Sequence, residues 1–136
     1  MRILVDTNIV LDILLKREPF FESSYEALKQ ALENDVACFI SASAITDIFY
    51  LLRKGLGDTC KAKEGIERLL QLLSIADVQL VDIQTALSDA MPDFEDAVVH
   101  AVAYRYKVDY ILTRNTKDFI GKAVPAISPQ CFVKLQ

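Results

Sequence analysis

The sequence is short of the residues that hold soft metals and staple small folds. It has one histidine and three cysteines, Cys38, Cys60 and Cys131, with no C-x-x-C pair among them. Such a set builds neither a zinc site nor a disulfide framework, so free, incidental thiols are expected. Glycine and proline are sparse, at four each, and no Gly/Ser linker, repeat or low-complexity stretch divides the 136 residues. One ordered domain over residues 1–136, large enough to bury a real core, is the expectation. No apolar run approaches the roughly 18 residues that span a bilayer, and no small-residue cleavage site follows the N-terminus. A cytoplasmic protein without a membrane partner is therefore expected. Positive charge is in deficit as well. Fifteen Lys and Arg face nineteen Asp and Glu, for a net charge of −4, which argues at first against a nucleic-acid partner.

What is there is an alternation of strand-like and helix-like segments. Arg2–Asp6 reads as a strand, and "NIVLDILLKR" as a short helix stopped by Pro19. "ESSYEALKQALEND" follows as an amphipathic helix capped by Ser23 or Ser24. "VACFI" (36–40) is a strand. The next helix, "SASAITDIFYLLRKGLG", is opened by Ser41 or Ser43 and closed by glycine, and Asp58 or Thr59 caps another. "VQLVDI" (78–83) reads as a strand and "QTALSDAM" as a short helix. Pro92 suits the first turn of "PDFEDAVVHAVAYRYK". "DYILT" (109–113) is a strand, "NTKDFIG" a turn or short helix, and "VPAIS" a last short strand. Strands separated by helices imply an α/β fold with a mainly parallel central sheet covered on both faces. Ligands of such sheets bind beyond the carboxyl ends of the strands.

That edge is where the acids fall. Asp6 ends the first strand, and Asp47 lies one turn into the helix after the second core strand. Asp93 and Asp96 are three apart in one first turn, and Asn115 and Asp118 follow "YILT". Each has an ordinary explanation as a cap, a solvated residue or a partner of the helix dipole. Together they concentrate negative charge, at a Coulomb cost that a hard divalent cation would offset. Oxygen ligands without a histidine or cysteine cluster favour Mg²⁺ over zinc. A carboxylate site of this kind suits metal-assisted hydrolysis of a phosphodiester.

"ILVDTNIVLD", "DFEDAVVHAVA" and "YILTRNTKDF", in this order, resemble the motifs of the PIN domain family, most closely its toxin-type, VapC-like members. The resemblance spans essentially the whole chain. It implies an α/β/α sandwich and a Mg²⁺- or Mn²⁺-dependent endoribonuclease acting on RNA, with a homodimer and a cognate antitoxin as partners. By position, Asp6 matches the family's first acid, Asn8 the polar residue beside it and Asp96 the third acid, with Asp93 accessory. The sequence departs from the pattern twice: Asp47 stands where the family usually has Glu, and Asn115 where Asp is frequent. Asp118 then becomes the fourth acid.

On this reading Asp6, Asp96 and Asp118 hold the metal with help from Asp93. Asp47 completes the catalytic set of Asp6, Asp47, Asp96 and Asp118. Thr7, Asn8, Thr113, Arg114 and Asn115 contact substrate. The five acids outweigh the whole net charge, so the rest of the chain is net positive. Lys16, Arg17, Arg53, Lys54, Arg114 and Lys117 are then candidates for RNA phosphates. His100, alone among Ala and Val, is expected to be structural.

Two rivals remain. One is a PIN fold that binds RNA or protein and cleaves poorly, motivated by Asp47 and Asn115. The other is a phosphatase of the haloacid-dehalogenase type, whose D-x-D motif is interrupted here by Asn8.

Overall fold

The computed structural model describes residues 1–136. Five parallel strands form one sheet: β1 (Arg2–Val5), β2 (Ala37–Ser41), β3 (Ser74–Ala76), β4 (Tyr110–Leu112) and β5 (Ala126–Ile127), in the order β3-β2-β1-β4-β5. The helices are α1 (Thr7–Leu14), α2 (Phe21–Glu33), α3 (Ala42–Leu56), α4 (Thr59–Leu72), α5 (Leu80–Ser88), α6 (Phe94–Arg105) and α7 (Pro129–Leu135). A single 3-10 turn spans Thr116–Phe119.

The strand period of two sorts the core into two halves. Ile3 and Val5 of β1, Ile40 of β2 and Leu112 of β4 face one cluster, which α1 to α4 and α7 complete. Leu4 and Ile111 face the other, filled by α6, Ala86 of α5 and Phe119. The result is an α/β/α sandwich with β1 at its centre. Helix α6 is buried from Ala97 to Ala103 without a break, a run of alanines and valines interrupted only by His100.

Local chemistry explains most boundaries. Ser41 caps α3 by accepting from the Ser43 N–H, and Asp58 caps α4 by accepting from the Lys61 N–H. Gly57 ends α3 at φ +67°, the left-handed conformation that favours glycine.

The structure corrects the sequence at four places. Residues 78–83 are not a strand: β3 lies earlier, and Gln79 and Asp82 form a capping box that starts α5 at Leu80. The short run "VQLVDI" fits both periods, and the capping box decides between them. Pro92 precedes the Asp93 cap of α6 rather than occupying its first turn. Neither Ser23 nor Ser24 caps α2, which begins at Phe21; Ser24 is buried and donates to Asp12 at 2.9 Å. Helix α7 was not expected, although Ser128 followed by Pro129 is a start signal, and its Phe132 is fully buried. No helix is long and apolar enough to cross a membrane.

Candidate functional site

Asp6 sits where β1 gives way to α1, and its carboxylate caps that helix by accepting from the Thr7 N–H at 2.8 Å. Its second oxygen accepts from the Thr113 hydroxyl at 2.8 Å, across the gap between β1 and β4. The Asn8 amide donates to the same hydroxyl at 3.1 Å, and its carbonyl accepts from the Arg114 N–H at 3.3 Å. The Asn115 N–H also donates to the Thr113 oxygen, at 3.0 Å. Thr113 thus locks the Asp6 carboxylate in one orientation. It is itself fully buried. Arg114 is likewise turned inward: its guanidinium pairs with Asp12 at 2.7 Å and lies 3.8 Å over the Phe20 ring.

The remaining acids approach from other elements. Asp93 caps α6 through a 2.9 Å bond from the Asp96 N–H. Asp96 lies in the first turn of that helix. Burial first, and then repulsion from Asp93, Asp6, Asp118 and Glu95, pushes its carboxyl up to about 6. Burial also raises Asp6, with Asp118 adding to the rise while Thr113, Thr7 and Arg114 oppose it. Asp118 projects from the 3-10 turn and Asp47 from α3, both exposed. Asn115, the other residue of that loop, is exposed at the N-cap of the 3-10 turn and makes no side-chain capping bond.

Glu95 was missed by the sequence reading. Burial, and then Asp47, Asp93 and Asp6, raise its carboxyl, so it bridges Asp47 to the rest of the group. The i, i+3 spacing singled out Asp93 and Asp96. The residue between them, second in the helix, is also close enough to Asp47 to feel its charge. The acids "FED" in sequence were the available signal.

These carboxylates perturb one another without closing on a single point: no three acidic, histidine or cysteine side chains form a ready-made metal cage. An ion that keeps several waters and uses few direct carboxylates, as Mg²⁺ does, needs no such cage. The acids lie on an open edge. The larger cavities are elsewhere, one of about 410 Å³ beside Ile45, Phe49 and Ile66 of α3 and α4, another between α5 and α6.

His100 is buried and accepts from the Val124 N–H at 3.1 Å, a packing role as expected. The cysteines are free, with Cys38 buried and Cys60 and Cys131 exposed.

A five-stranded parallel sheet centred on an acid-tipped β1 and covered by helices on both faces is the architecture of a PIN domain. The PIN domain model matches residues 2–117, and the chain belongs to that family. It is 24% identical over 136 residues to ribonuclease VapC1 of Aquifex aeolicus (strain VF5), covering 96% of this chain and 92% of that one. Among solved structures, VapBC2 from Rickettsia felis, bound to a DNA fragment from its promoter, superposes with a TM-score of 0.71 at 17% identity. That match covers 94% of this chain and 98% of the other. A toxin–antitoxin complex from Klebsiella pneumoniae gives 0.70 at 23% identity, with 93% and 96% covered.

Proposed function

We propose that this protein is a divalent-metal-dependent endoribonuclease and the toxin of a toxin–antitoxin pair. The observation that carries the reading is the gathering of Asp6, Asp96, Asp118, Asp93, Glu95 and Asp47 along one edge, near enough to perturb one another, with Asp96 pushed up to about 6 by burial and like charge. Such crowding is costly unless a cation offsets it. Asp6, Asp96 and Asp118 would hold Mg²⁺ or Mn²⁺ with help from Asp93. When bound, such an ion acidifies water and offsets the charge that develops on a phosphate.

The chain's own residues do the rest. Thr113 and Asn8 fix the Asp6 carboxylate, and the Asp93 cap fixes the turn that carries Asp96. Asp47 and Glu95 flank the site and orient water. Lys117, exposed beside Asp118, meets the RNA backbone, and the exposed Asn115 hydrogen-bonds to it. An open edge accommodates a polymer better than a closed pocket would. The apolar groove between α3 and α4 suits a hydrophobic segment of an antitoxin, and the active form is a homodimer.

Purified protein is expected to cleave single-stranded or looped RNA with Mg²⁺ or Mn²⁺ and to stop in EDTA. Activity that survives chelation, or that needs zinc, would overturn the reading. Glu95→Gln is expected to lower cleavage by about 10- to 100-fold, the range for groups that support a metal site from outside it. Full activity in that variant would remove Glu95 from the site.

One observation favours a second reading, a binding module that cleaves poorly: the acids do not form a closed cage. Calorimetric titration with Mn²⁺ separates the two, since a degenerate site takes up no ion at millimolar concentration.

A further inference from the structure

Between α5 and α6 lies a cavity of about 580 Å³ whose lining includes Val81, Thr85, Asp89, His100, Tyr104 and Arg105. Its volume is that of a small-molecule site. His100, the only histidine, is 7% exposed and lines this cavity. Its Nε2 accepts the Val124 N–H. A backbone N–H can only donate, so the neutral ring must carry its proton on Nδ1. Burial, and then the nearby Lys122, hold the ring below its ordinary pKa and hence neutral at pH 7. The Nδ1–H has no partner in the protein. Every fully buried side-chain polar atom is satisfied, so this one is not sealed in the core, and the ring that carries it lines the cavity.

Both cations around it are already paired. Arg105 binds Asp82 at 2.8 Å and Asp77 at 3.2 Å, and Lys122 binds Asp89 at 2.6 Å. An incoming anion would lose its hydration without meeting an unpaired cation, whereas a neutral polar ligand avoids that cost. What the cavity offers is one N–H donor, the hydroxyls of Thr85 and Tyr104, the spare lone pairs of Asp89 and an apolar wall. The Tyr104 ring, 63% exposed, stands at the rim.

We propose that this cavity binds a small, neutral heteroaromatic molecule of the nucleobase or nucleoside class. The Nδ1–H of His100 donates to a ring acceptor, Asp89 accepts from a neighbouring donor, and Tyr104 packs against the ring face. The site is distinct from the acidic edge and does not depend on the nuclease reading.

The single imidazole makes the test direct. Protein labelled with ¹⁵N-histidine shows one pair of ring-nitrogen signals, and adenosine, guanosine, cytidine and uridine are titrated in turn. At least one nucleoside is expected to shift the Nδ1 signal saturably. Tyr104→Ala is expected to weaken that binding by about tenfold, as loss of one base-stacking aromatic does. No shift with any nucleoside at about 1 mM would overturn the proposal, as would a shift untouched by Tyr104→Ala. Tighter binding of a nucleoside monophosphate than of its nucleoside would overturn the neutral-ligand assignment.

Discussion

Asp96→Asn is expected to abolish RNA cleavage while leaving the protein folded and, without metal, slightly more stable than the parent. The predicted loss is about a hundredfold to a thousandfold, as for removal of one group that stabilises transition-state charge. The stability gain follows from the raised carboxyl. The folded protein holds the Asp96 proton up to a pH of about 6, against an ordinary value of 3.8. Between those values the folded state binds more protons than the unfolded chain, so stability falls as pH rises and stays reduced above the interval. Asparagine has no such dependence. After discounting for partial exposure, the variant gains about 1 kcal/mol above the interval, roughly 3 °C in melting temperature. Thermal melts in chelator across that range, paired with cleavage assays, check both halves. A variant that melts far below the parent would show that Asp96 serves the fold rather than the chemistry.

Asp12→Ala carries the largest expected cost in stability. This carboxylate is fully buried and binds Arg17 at 3.1 Å, Arg114 at 2.7 and 3.1 Å and Ser24 at 2.9 Å. Removing it leaves two guanidinium groups without their partner, at a cost of about 3–5 kcal/mol. A fall of about 10 °C or more in melting temperature is expected. Loss of the anchor would also free Arg114, which now favours the charged form of Asp6. A change below about 1 kcal/mol in urea unfolding would mean that water replaces the pair.

Asp6 and Asp96 were legible in the sequence because each stands at the end of a strand or the start of a helix, positions readable from local pattern. Asp12 was not. It sits inside an apolar helix, and its chief partner is 102 residues away in sequence. The bonds of Thr113 to Asp6 and of Arg114 to Asp12 were not legible for the same reason. The β3–α5 boundary was misplaced because a six-residue apolar run satisfies both periods, and the deciding bond is the Asp82 side chain to the Gln79 N–H. The departures at Asp47 and Asn115 are visible in sequence. That Glu95 feels Asp47 depends on how α6 and α3, on opposite faces of the sheet, both end at its carboxyl edge, which no local pattern records.

The strand order has a consequence for how the molecule is made. Of the five strands the first to be synthesised is the middle one, and one of its flanks is covered as soon as β2 is complete. The other stays bare until Tyr110–Leu112 emerge, since the Asp6 N–H bonds to Leu112 and its carboxylate to Thr113. From β2 to β4 the nascent chain therefore exposes an unpaired edge. Its acidic centre is incomplete until Asp118 has been translated. A product truncated before β4 would be aggregation-prone and catalytically silent, however intact its N-terminal acid.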